Sequence, residues 1–164
     1  MNPTSSGYAD VNGIKLYHEI HGEGEPLVLI HGGLTTIGEM QGWVEPLAKT
    51  WQVIAVEMQG HGRTADTDRP MSFTTMGGDI AALLDHLKIP KADLVGHSFG
   101  GASAIRAAIQ HPEKVRRLPP PPPARMAIRD LLRWPRIQDR SADKYHSERR
   151  KALWGRRTYW AARR

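Results

Sequence analysis

Hydrophobic and polar residues alternate over Tyr8-Ala9-Asp10-Val11 and again over residues 14–20, with Asn12-Gly13 between the two runs. Alternation puts every second side chain on one face, and Asn-Gly supplies the left-handed positions of a tight turn, so the pair predicts an antiparallel hairpin. Gly22, Gly24 and Pro26 break this pattern, and Leu27-Val28-Leu29-Ile30 then runs apolar without interruption. A short continuous run suits a strand covered on both faces, as in a parallel sheet. Residues 43–50 predict a short helix, residues 51–57 a further strand, and Gln59-Gly60-His61-Gly62-Arg63-Thr64 a loop. Over residues 74–88, Met76, Ile80, Leu83, Leu84 and Leu87 recur at helical spacing until Pro90 closes the segment. Residues 92–96 predict another strand. The helix after it is expected to bury Ala102, Ile105, Ala108 and Ile109 and to end near His111-Pro112. Strict alternation of strand and helix after a hairpin predicts an α/β fold, a mostly parallel sheet with helices on both faces.

The most informative stretch is Gly96-His97-Ser98-Phe99-Gly100-Gly101, which joins the last of these strands to the last helix. It contains a G-x-S-x-G pattern. Glycines on both sides of Ser98 permit a sharp turn and a close approach of the following helix, which would hold the serine hydroxyl clear of the sheet. The helix that follows begins with N–H groups that have no partner inside it, so negative charge developing near Ser98 would meet donors. Taken alone, the pentapeptide reads equally well as a Gly-Ser turn closing a strand.

Composition changes this picture little, and charge changes it in one place. The chain has 164 residues, enough for one domain with a core, and no cysteine, which excludes disulfides, thiolate metal sites and a cysteine nucleophile. A polar N-terminus without a basic and then apolar stretch gives no readable signal peptide, and no apolar run is long enough to span a bilayer; a cytoplasmic location is the expectation. The net charge is +6, yet residues 1–118 hold 10 Lys+Arg against 13 Asp+Glu, a balance of −3, while residues 119–164 hold 13 against 4, a balance of +9. Basic character therefore belongs to the last 46 residues and not to the part that carries Ser98.

The hairpin, the apolar strand ending in His31-Gly32-Gly33, the strand ending near Glu57, the loop Gly60-His61-Gly62-Arg63 and the Ser98 turn follow one another in an order that resembles the α/β-hydrolase fold family, serine-nucleophile branch. The resemblance covers residues 7–118 and matches the N-terminal half of a typical member. It implies acyl transfer through Ser98 on a small ester or related carbonyl substrate, without metal or organic cofactor. It also implies an oxyanion hole built from the backbone N–H of Phe99 and one N–H from the loop after His31-Gly32, with Gly33 preferred and Leu34 the alternative. Ser98 in place of aspartate sets the chain apart from the dehalogenase and epoxide hydrolase branches. Glu57 stands where relatives usually carry aspartate. His31 and His97 are expected to be satisfied structural histidines, and His61 and Arg63 to tie down a loop.

The resemblance stops at Leu118, where Pro119-Pro120-Pro121-Pro122-Pro123 follows. Proline lacks a backbone donor, so the family's sixth strand cannot form across this run, and residues 119–164 are expected to be a Pro/Arg-rich tail, disordered or foreign to the fold. A shift of reading frame near codon 118 would produce such a change, and translating the other two frames of the encoding DNA tests it. The sheet is expected to be truncated after the nucleophile helix, with the outer edge of the 92–96 strand unpaired and poor solubility or a partly unfolded state as the result. The order Ser98, then Asp130, Asp139 or Asp143, then His146 imitates the family's triad order. Order is no substitute for geometry, and no strand is readable on which that acid and histidine would sit. Function is thus read as an impaired serine hydrolase. The alternatives are an inactive pseudoenzyme fragment, or a binding protein whose tail, with Trp134, Trp154, Tyr159 and Trp160 among arginines, meets nucleic acid or an acidic partner. Blocks of like charge are commonly only solvated, so nucleic acid is not the expected partner. A small-molecule substrate is, and the oligomeric state is left open.

Overall fold

A computed structural model describes residues 1–118, and the sheet and helices below are those of this stretch. Strands β1 (Ser5–Val11) and β2 (Ile14–His21) form the expected hairpin. Asn12 and Gly13 both take positive φ, 47° and 83°, as a turn matching the twist of the strands requires. Then come β3 (Glu25–Ile30), α1 (Gln41–Leu47), β4 (Trp51–Val56), α2 (Phe73–His86), β5 (Ala92–Gly96), α3 (Phe99–Gln110) and β6 (Val115–Arg117). The strands lie in the order β1-β2-β4-β3-β5-β6. Pairing is antiparallel from β1 to β4 and parallel from β4 through β3 and β5 to β6.

The sheet divides two apolar cores. Val28 and Ile30 of β3 join Met76, Ile80, Leu83 and Leu84 of α2 and Ala104 and Ala107 of α3 on one face. Leu27 and Leu29, the alternate residues, join Val44 and Leu47 of α1 with Val53 and Ala55 of β4 on the other. This two-sided burial is what the uninterrupted apolar run of β3 anticipates. Helix α2 begins one residue before the reading from periodicity, because Ser72 caps it: its side chain accepts from the Thr75 N–H while the Thr75 side chain answers the Ser72 backbone. Among the described residues no helix is long and apolar enough to cross a membrane.

Two expectations need correction. The buried side of α3 is Gly100, Ser103, Ala104 and Ala107, whereas Ile105 and Ile109 are 53% and 65% exposed. Small residues decide the matter, because they let the helix axis approach the sheet where isoleucine would hold it away. Gly100 shows how closely: a Cβ there would lie 2.4 Å from the carbonyl oxygens of both Ile30 and His31. Gly100→Ala is therefore expected to cost about 3 kcal/mol, since neither backbone can give way. For Gly101→Ala the nearest atom is the Gly96 carbonyl oxygen at 3.1 Å, and that contact is set against the helical preference for Ala over Gly of about 1 kcal/mol. Urea unfolding midpoints of the two variants should differ accordingly, and equal midpoints would contradict this packing.

The second correction concerns the outer edge of β5, which is not unpaired along its length. Val115 and Arg117 of β6 pair with Ala92 and Asp93. Val115 is buried, and the Asp93 carboxylate receives Arg116 Nε at 2.8 Å and Arg117 Nη1 at 3.3 Å. The strand is made before the proline run begins. The expectation of an open edge thus survives only for the part of β5 beyond Asp93, among the described residues.

Candidate active site

The turn from β5 into α3 places Ser98 immediately before the first helical residue, with φ 49° and ψ −110°. A residue with a Cβ enters this region only at a cost of about 1–3 kcal/mol. Two glycines make it feasible. A Cβ at Gly96 would lie 2.3 Å from the Gly100 carbonyl group, and Gly100 is pressed against the end of β3 as described above. The turn is fastened by His97 N–H donating to the Ile30 carbonyl (3.0 Å) and Gly100 N–H donating to the His97 carbonyl (2.8 Å). Ser98 is exposed, and among the described residues no group hydrogen-bonds its hydroxyl.

Opposite this turn, the chain leaving β3 passes through Gly32, Gly33 and Leu34. A Cβ at Gly33 would sit 3.7 Å from Phe99 Cβ, so the loop backbone lies against the first residue of α3. The Phe99 N–H, at the first helical position, has no carbonyl a turn behind it to receive it. Gly33 N–H is likewise without a partner among the described residues, whereas Leu34 N–H donates to His61 Nε2 at 3.3 Å.

His31 is the satisfied histidine the sequence suggests. Its Nδ1–H donates to the Gly32 carbonyl at 2.6 Å and its Nε2 accepts the Met58 N–H at 3.0 Å. Burial pushes its pKa below the ordinary value, against the opposing Gly32 hydrogen bond, so the ring is neutral at pH 7. His97 differs from expectation: it is exposed, its ring makes no hydrogen bond among the described residues, and that ring meets Trp43 edge-on at 5.9 Å.

The 57–64 segment is structural, as its glycines and arginine suggest. Glu57 accepts from Arg63 N (2.6 Å), Arg63 Nε (3.0 Å) and Arg63 Nη2 (2.9 Å), and from Ile37 N at 3.4 Å. Arg63 Nη1 reaches Tyr17 Oη and Glu19 Oε1, both at 2.9 Å, and the guanidinium lies 3.8 Å over the Tyr17 ring. Burial pushes the Glu57 carboxyl up, but the hydrogen bonds from Arg63 outweigh it and hold the group below its ordinary value. Gly62 is obligatory here: its φ is +54° and a Cβ would fall 2.4 Å from the Glu57 carboxylate. The sequence does not reveal that Tyr17 and Glu19 complete this cluster. Nor does it reveal that buried Asp79 of α2 pairs with Arg69, although a carboxylate beside Ile80 on an apolar helix face is a signal for a partner. Asp130, Asp139, Asp143, His146, the proline run and the tail aromatic residues lie outside the described residues.

The alpha/beta hydrolase fold family matches residues 25–118, and the chain belongs to that family. It is 39% identical over 110 residues to 2-hydroxymuconate semialdehyde hydrolase of Pseudomonas sp. strain CF600, a match covering 65% of this chain and 39% of that protein. It is 39% identical over 115 residues to the dihydrolipoyllysine-residue acetyltransferase component of the acetoin cleaving system of Pseudomonas putida, covering 67% of this chain and 30% of that one. Among solved structures, the enol-lactonase from Burkholderia xenovorans LB400 superposes with a TM-score of 0.64 at 31% identity, over 67% of this chain and 44% of its own. The chain thus spans less than half the length of each of these relatives.

Proposed function

We propose that residues 1–118 carry the nucleophile and oxyanion side of a serine hydrolase, acting by acyl transfer through Ser98 on a small ester or related carbonyl substrate. The single observation that carries this reading is the backbone of Ser98, a non-glycine residue in a disfavoured conformation at the joint between β5 and α3. Strain of this kind persists where surrounding structure enforces it, and it leaves the hydroxyl in the open at the head of a helix. The N–H groups of Phe99 and Gly33 would receive the oxygen on which negative charge develops.

Activity is proposed to be impaired. An alcohol is a weak nucleophile unless a positioned base takes its proton, and no group among the described residues is hydrogen-bonded to the Ser98 hydroxyl to do so. The test is covalent. The full chain incubated at length with a small fluorophosphonate is expected to carry one adduct, mapped by mass spectrometry to Ser98 and absent from Ser98→Ala. An adduct spread evenly over Ser72, Ser98 and Ser103, or absent from Ser98, would overturn the reading.

A further inference from the structure

His61 lies on the loop after β4, yet both of its ring nitrogens are engaged. Nδ1 is 2.9 Å from the Gln59 carbonyl oxygen and Nε2 is 3.3 Å from the Leu34 amide nitrogen. A carbonyl oxygen can only accept and a backbone amide can only donate, so the ring must carry its hydrogen on Nδ1 and keep Nε2 bare. The first anchor is firm. Gln59 is buried, with its side chain held by Asp66 and Arg69, and His61 itself is fixed by backbone bonds from its N–H to the Met58 carbonyl and from the Thr64 N–H to its own carbonyl, each 3.0 Å. The ring packs between His31, at 4.8 Å, and Phe99, at 5.7 Å.

Leu34, at the other end, has little else to hold it. Its φ is +62°, a region unfavourable for a residue with a Cβ, and it is 99% exposed, so no packing offsets that conformation. We infer that His61 is a positioning residue: its bare Nε2 holds the Leu34 amide, fixes the Gly33-Leu34 turn against Phe99, and leaves Gly33 rather than Leu34 with the free N–H beside Ser98. The consequence for catalysis rests on the functional reading above, while the tie itself does not. Of the two loop donors that the sequence leaves open, one is occupied by a histidine 27 positions away.

Amide hydrogen exchange on the full chain tests the tie without reference to activity. Relative to intrinsic rates, the Leu34 amide is expected to exchange about five- to tenfold more slowly than the Gly33 amide, the protection that one net hydrogen bond supplies. His61→Phe keeps a ring between His31 and Phe99 but has no acceptor; His61→Gln loses the ring and can offer Oε1 to Leu34. If the ring nitrogen is what matters, Gln retains protection at Leu34 and Phe abolishes it; if ring packing is what matters, the order reverses. Equal exchange of Leu34 and Gly33 in the unaltered chain, or full protection in His61→Phe, would overturn the inference. The rate of fluorophosphonate labelling of Ser98 in the same proteins separates the two questions: absence of label in the unaltered chain defeats the functional reading, and the exchange comparison still decides the tie.

Discussion

p-Nitrophenyl acetate is expected to be hydrolysed by this chain about 10⁶-fold more slowly than by a serine hydrolase with a complete triad, and His146→Ala is expected to change that rate by less than twofold. The size of the deficit follows from what a positioned base contributes: removing the histidine from a triad costs nearly as much as removing all three members. The oxyanion donors and substrate binding leave a residual acceleration over water of about 10³- to 10⁴-fold. Here the N–H groups of Phe99 and Gly33 would supply that remainder, and Ser98→Ala should remove the part that passes through an acyl-serine. Brisk turnover, lost alike in Ser98→Ala and His146→Ala, would mean that the 119–164 segment delivers a base, and the proposed impairment would have to be abandoned.

Arg69→Ala is expected to destabilise the fold by about 3–5 kcal/mol, a large part of the stability of an ordinary domain. The Asp79 side chain is fully buried, and it accepts Arg69 Nη1 at 2.8 Å, Arg69 Nη2 at 2.7 Å and Asn12 Nδ2 at 3.0 Å. Arg69 also holds Gln59 Oε1 through Nε and Nη2, so one guanidinium ties helix α2, the hairpin turn and the loop after β4. Removing it leaves a buried carboxylate with a single neutral donor. Replacing the whole pair, as Arg69→Met with Asp79→Leu, should recover much of the loss, because no charge is then stranded. Chemical unfolding of the two variants beside the unaltered chain gives the comparison. A loss under about 1 kcal/mol in Arg69→Ala would show that water reaches Asp79 and that the pair is not insulated.

Patterns that depend on neighbouring residues are the ones legible in the sequence. Asn12-Gly13 identifies the hairpin, the apolar run of β3 announces burial on both faces, and the glycines around Ser98 mark the sharp turn. Helix α3 misleads because periodicity weighs bulk, whereas its packing is governed by the absence of bulk at Gly100 and Ala104. Strand β6 is hidden for a different reason. Two of its three residues are arginines, which read as solvated until Asp93 is seen beside them. Contacts between distant segments are illegible in principle: nothing near Leu34 announces His61, and nothing near Tyr17 announces Arg63.

The strand order also sets a timetable for synthesis. β3 lies at the middle of the sheet, and both of its neighbours, β4 and β5, come later in the chain. A ribosome adds about 5–20 residues per second, so the apolar run 27–30 waits several seconds, with both edges unpaired until β4 is made and one edge unpaired until residue 96 has emerged. Parallel pairing of this kind cannot be replaced by a local hairpin in the meantime. The nascent chain is thus most exposed to misassociation before the Ser98 turn exists, and the strand that completes the pairing of β3 is the one that leads into Ser98.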